Sequence, residues 1–189
     1  EGASALVQTS DAGYAIAGCA RSYGAGLDVW LVKTDAYGNM EWNKTYGGPS
    51  SDWASALFQT SDGGYAIAGS TYSYGAGLCD VWLIQTDAYG NIKWNKTYGG
   101  IYRDWAWALV QTSDGGFAIA GSTSSYRAES ADAWLIKADA YGNVKWSKTY
   151  GGPMYEGASA LVQTSDAGYA IAGCARSYGA GLDVWLVKT

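Results

Sequence analysis

Histidine is absent from the 189 residues. That removes Ser-His-Asp and Cys-His nucleophilic catalysis and the commonest protein metal ligand. Carboxylates, thiols and aromatic rings remain as the groups able to do chemistry. Asp11, Asp62, Asp114 and Asp166 each end the sequence Gln-Thr-Ser-Asp, and Asp35, Asp87 and Asp139 each open Asp-Ala-Tyr-Gly-Asn. Turn-forming aspartates account for both sets. Each such turn offers one carboxylate where a calcium cage takes about six or more oxygens, so no metal site is expected.

A third acidic set is Asp52, Asp104 and Glu156, followed by Trp53, Trp105 and Gly157. Aromatic rings beside carboxylates suit a sugar, whose C–H face stacks on the ring while its hydroxyls meet the acid, or a protein anchor. Glycine stands in place of these tryptophans at Gly2 and Gly157, so the fold does not need tryptophan there. The plainer alternative is that both rings cap the core. Asp52, Trp53, Asp104, Trp105, Tyr155 and Glu156 are therefore the candidate ligand-binding residues. Carboxylate pairs also serve glycoside hydrolysis. Here repetition accounts for nearly every Asp and Glu, so no catalytic residue is assigned, no cofactor is called for, and the chain is expected not to be an enzyme.

The thiols are Cys19, Cys79 and Cys174, an odd number without CxxC spacing, and Cys19 and Cys174 take the repeat position of Ser70 and Ser122. They read as small structural residues and not as a zinc site or disulfide framework. Lys plus Arg number 12 against 17 Asp plus Glu. With lysines recurring at fixed repeat positions instead of clustering, a nucleic-acid partner is not expected. No apolar run approaches the ~20 residues of a membrane span.

These residues are positioned by a repeat. The Gln of Gln-Thr-Ser-Asp falls at positions 8, 59, 111 and 163, a spacing of 51, 52 and 52 residues, and residues 1–34 are identical to residues 156–189. Such a period belongs to propellers, solenoids or arrays. The first residue falls inside a repeat, which reads as a piece of a longer array without its targeting segment.

Each repeat reads as four strands, here called A to D. In the second repeat they are residues 55–60, 65–69, 80–86 and 92–98, with hairpin signals Ser-Asp-Gly-Gly and Asp-Ala-Tyr-Gly-Asn. Strand B, with small residues and no charge, belongs inside a sheet; strand D alternates and suits an outer position. The 27 glycines and 15% aromatics fit many short strands and turns. The expected fold is all-β, a β-propeller of four-stranded antiparallel blades. Three blades are full and the fourth has three strands, over approximately residues 1–50, 51–102, 103–154 and 155–189. A blade buries its faces only against neighbours, and the tryptophans at 30, 82, 134 and 185 and at 42, 94 and 146 are placed to pack between blades.

The segment Val-Trp-Leu-Ile-x-Thr-Asp-Ala-Tyr-Gly-Asn-x-x-Trp resembles the tryptophan-docking motif of quinoprotein-type propeller blades, as in secreted and surface propeller proteins of archaea and bacteria. The quinoprotein cofactor is not implied, because that pocket uses adjacent cysteines and this chain has none.

The longer, more varied segments are 49–53, 70–79, 101–107, 122–131 and 153–157, all on the face carrying the B–C and D–A loops. The expected function is a non-enzymatic extracellular or cell-surface module, a structural or binding scaffold whose ligand, a carbohydrate or a protein, meets that face. The alternative is a carbohydrate-active propeller, lectin-like or glycoside-cleaving. The short fourth blade leaves strand C at an edge, and head-to-tail self-association is expected to complete the ring or that edge.

Overall fold

The chain was analysed as a computed structural model, which describes residues 1–21, 26–126, 130–176 and 181–189. Fifteen strands and no helix occur among the described residues. The first blade holds β1 (Gly2–Gln8), β2 (Tyr14–Arg21), β3 (Leu27–Thr34) and β4 (Met40–Tyr46). The second holds β5 (Asp52–Gln59), β6 (Tyr65–Thr71), β7 (Asp80–Thr86) and β8 (Ile92–Tyr98), and the third β9 (Asp104–Gln111), β10 (Phe117–Thr123), β11 (Asp132–Ala138) and β12 (Val144–Tyr150). The fourth holds β13 (Glu156–Gln163), β14 (Tyr169–Ala175) and β15 (Asp183–Lys188). Every sheet is an antiparallel meander in chain order. The strands β1, β5, β9 and β13 neighbour one another in succession and so line the axis.

Local chemistry makes the hairpins. In the second blade Asp62 Oδ1 accepts from the Thr60 hydroxyl at 2.6 Å and Gly63 adopts φ +81°, the left-handed conformation the turn needs. The sequence Asp-Ala-Gly in the first and fourth blades keeps a glycine, but one place too late. Ala12 (φ 67°) and Ala167 (φ 63°) take the left-handed position instead. In the C–D turns, Asp87 Oδ1 accepts from the Tyr89 and Asn91 amides at 2.9 and 2.8 Å, with Gly90 at φ +76°.

Each inner strand carries a register break. Ser4, Ser55, Trp107 and Ser159 are the residues passed over in pairing with the next strand. Gly69 pairs with Ala54, next to one of them, and a Cβ there would come within 1.9 Å of the Trp53 carbonyl oxygen. Bulges of this kind re-aim side chains.

The apolar core is three clusters, each between consecutive blades. The strand D tryptophans pack forward, edge-on, against the next blade: Trp42 on Tyr65 at 5.9 Å, Trp94 on Phe117 at 5.8 Å and Trp146 on Tyr169 at 5.7 Å. The strand C tryptophans pack backward, so Trp82, Trp134 and Trp185 join the cluster shared with the preceding blade. Tyr46 and Tyr98 complete two joints by donating to the Gly90 and Gly142 carbonyls at 2.7 and 2.8 Å. Strand B departs from the sequence expectation. It is wholly buried in β6 and β10 but only partly in β2 and β14, because the first and fourth blades each lack a neighbour on one side.

Candidate functional site

The D–A and B–C loops meet at one end of the blades. The amides of Tyr72, Ser124 and Arg176 donate to the carbonyls of Ser51, Arg103 and Tyr155 at 3.0, 2.9 and 2.9 Å. At this end Asp52, Asp104 and Glu156 are buried beneath the surface. Asp104 Oδ2 accepts from the Ser125 hydroxyl at 2.6 Å and the Gly100 amide at 3.0 Å, while its Oδ1 takes the Thr123 hydroxyl. Asp52 does the same with Ser73 at 2.6 Å, Gly48 at 3.0 Å and Thr71. Glu156 accepts from the Gly152 amide at 2.9 Å. Asp52 and Asp104 clasp one loop to the other and so aim the residue that follows each of them, while Glu156 ties to its own D–A loop.

That following residue is tryptophan in the two central blades. Trp53 and Trp105 stack across neighbouring blades with centroids 5.5 Å apart and planes at 30°. Trp107 continues the column, 6.1 Å from Trp105 and within 12° of parallel. Tyr72 closes the other side, 5.5 Å from Trp53 and 6.1 Å from Trp105. Beside Trp53 and Tyr72 opens a cleft of about 480 Å³, lined also by Pro49, Ser50 and Ser51. Trp107, at the far end of the column, is 42% exposed.

The structure thus brings Trp53 and Trp105 together and sets Asp52 and Asp104 behind them. Tyr155 lies apart in the fourth blade, its hydroxyl over Gly157. Burial holds the Tyr155 phenol above its ordinary pKa. Two members of the aromatic column were not among the expected site residues. Trp107 replaces Ser4, Ser55 and Ser159, and Tyr72 replaces Arg21, Ser124 and Arg176. The same logic that singled out Trp53, an aromatic that the repeat does not require, applies to both. Of the expected loop 122–131, residues 127–129 lie outside the described residues.

The turn aspartates at the opposite end pair with lysines. Lys33 bridges Asp11 and Glu41 at 2.8 Å each, Lys137 meets Asp114 at 2.9 Å and Lys188 meets Asp166 at 2.8 Å. In the second blade that lysine position is Gln85, and Lys93 of the outer strand reaches Asp62 instead. Cys79 is buried at the joint between the second and third blades, where its carbonyl accepts from the Asp104 amide at 2.8 Å. Desolvation, with Asp80 and Asp104 nearby, pushes its thiol up to about 12.

No family model matches the sequence, and no curated protein matches it. Among solved structures, the native arabinanase Arb43A of Bacillus subtilis is similar over 100% of this chain and 74% of its own, with a TM-score of 0.50 and 14% identity. That likeness corrects the expectation of a non-enzyme, since the architecture along the whole chain is one that an arabinanase uses. Missing histidine and repeated carboxylates were too narrow a ground for that expectation. By its four antiparallel sheets, its axial inner strands and this likeness, the chain is a β-propeller with three full blades and one of three strands.

Proposed function

We propose that this protein is a carbohydrate-active β-propeller that holds a glycan against the aromatic column of Trp53, Trp105, Trp107 and Tyr72. The observation that carries the proposal is the column itself. Three tryptophans on the axial strands are stacked in one column, with Trp53 at the cleft and Trp107 exposed at the far end, at positions where other blades manage with glycine or serine. The exposed ring of Trp107, stacked on Trp105, has an outer face that matches the C–H face of a sugar, and Ser50 and Ser51 in the cleft suit hydroxyls. Asp52 and Asp104 serve by fixing the rings and not by touching the sugar.

Two further parts of the reading rest on the sequence. The blades are of the tryptophan-docking type, without a quinone cofactor, and the protein works outside the cell or at its surface, where polysaccharides are met.

The arabinanase likeness makes linear arabinan the first glycan to test, followed by a panel of plant and microbial polysaccharides. Affinity electrophoresis and release of reducing ends are to be measured for the wild type and for Trp53→Ala/Trp105→Ala. Retardation by a glycan, lost at least about tenfold in the double variant, is the expected result, with reducing ends marking the cleaving form. A wild type that neither binds nor cleaves any of the panel would overturn the proposal.

A further inference from the structure

The same 34 residues occupy two settings in this fold, and they bury opposite faces. Leu6 is 63% exposed on β1, whereas Leu161, its identical counterpart, is 7% exposed and packs on the third blade. The reverse holds on strand C. Val29 and Leu31 are buried against the second blade at 1% and 0%, while their counterparts Val184 and Leu186 are 90% and 69% exposed.

The three internal joints show what each of these faces takes. A forward face, such as Ala15, Ala17, Val29 and Leu31, always meets a backward face, such as Leu57, Tyr65, Ile67 and Ile84. The uncovered face of the fourth blade (Ala170, Ala172, Val184, Leu186) is a forward face by sequence. The uncovered face of the first blade (Leu6, Tyr14, Ile16, Trp30) is a backward one, chemically the face that the fourth blade turns to the third.

The polar rim agrees. At two internal joints the amide of a turn serine donates to the glutamine side chain of the next blade, Ser10 to Gln59 and Ser113 to Gln163, both at 2.8 Å. Ser165 and Gln8 hold the matching positions on the two uncovered faces, and both are exposed.

We infer that this chain associates head to tail with a second copy of itself, the forward face of its fourth blade docking on the backward face of the copy's first blade. The contact reproduces the joint already made three times within the chain. Because the two surfaces differ, the association is heterologous and either closes a ring or propagates.

Sedimentation velocity over a range of concentrations tests this with Leu6→Asp and Val184→Asp, two exposed positions on opposite faces. Circular dichroism of each variant confirms that its sheets are retained, and Leu186→Asp replaces Val184→Asp if it does not fold. The wild type is expected to form species heavier than 19.9 kDa as concentration rises. Each variant alone stays monomeric, and an equimolar mixture forms a one-to-one dimer, since one variant keeps the forward face and the other the backward face. A wild type that stays monomeric overturns the inference. So do variants that still self-associate singly, which would mean pairing of like faces or of β15 edges, and a mixture that fails to dimerise.

Discussion

Ala12 and Ala167 carry a cost that the rest of the chain avoids. Their counterparts in the central blades are Gly63 and Gly115, at φ +81° and +78°, and the alanines adopt nearly the same conformation with a Cβ in the way. Replacing either with glycine is expected to stabilise the protein by roughly 1 kcal/mol, read from the shift in urea midpoint at constant slope. The sequence expectation placed a glycine in this turn correctly but could not tell which residue takes the positive φ, because that depends on the pairing of the flanking strands. Cys79 makes a second prediction at this scale. With its thiol buried and pushed up to about 12, it is expected to resist iodoacetamide at pH 8 in the folded protein and to react once urea unfolds it. Mass spectrometry of the labelled peptides checks this. Cys79 labelling as fast in the native state as in urea would mean that the joint between the second and third blades opens freely.

Strands and hairpins were legible because their causes are local: alternation in strand D, small residues in strand B, and Asp and Gly in the turns. The aromatic column was legible only by halves. Trp53 and Trp105 stand out against glycine, and Trp107, two residues after Trp105 on β9, stands out against serine on the same face, but Tyr72 joins from the neighbouring strand β6. The place of Tyr72 depends on inter-strand register, which a linear pattern does not display. Two kinds of tryptophan follow from this and are expected to respond differently. Trp94 seals a joint against Phe117, so Trp94→Ala is expected to cost about 3 to 5 kcal/mol in chemical denaturation. Trp107→Ser installs the residue that the same bulge carries at Ser55, and is expected to change stability by less than about 0.5 kcal/mol while weakening glycan retention. Equal losses of stability in the two variants would place Trp107 in the scaffold.

Across the whole molecule, the axial turns set the response to acid. Side-chain hydrogen bonds, from Lys33 to Asp11, Thr112 and Lys137 to Asp114, and Lys188 to Asp166, hold these carboxyls far below the usual 3.8, and Lys93 lowers Asp62 to about 2. A carboxyl lowered in the fold stabilises it fully above the unfolded value and ceases to do so as pH falls through the folded one. Burial raises Asp80 and acts in the opposite direction, but it is one group against seven, since hydrogen bonds within the C–D turns lower Asp35, Asp87 and Asp139 as well. The melting temperature is therefore expected to be level from about pH 7 to 5 and to fall steadily below about pH 4. A Lys93→Met variant would lose part of that acid-dependent fall. A melting temperature unchanged down to pH 2 would show that these ion pairs do not couple to folding.

The identity of the first and last units has a genetic consequence. One stretch of sequence already packs through its forward face in the first unit and through its backward face in the fourth. Recombination between such units can therefore lengthen or shorten the gene by whole blades without inventing a new contact. A chain given one more central unit gains one more joint of the existing kind and is expected to unfold at higher urea, so copy number itself becomes a heritable means of adjusting size and robustness.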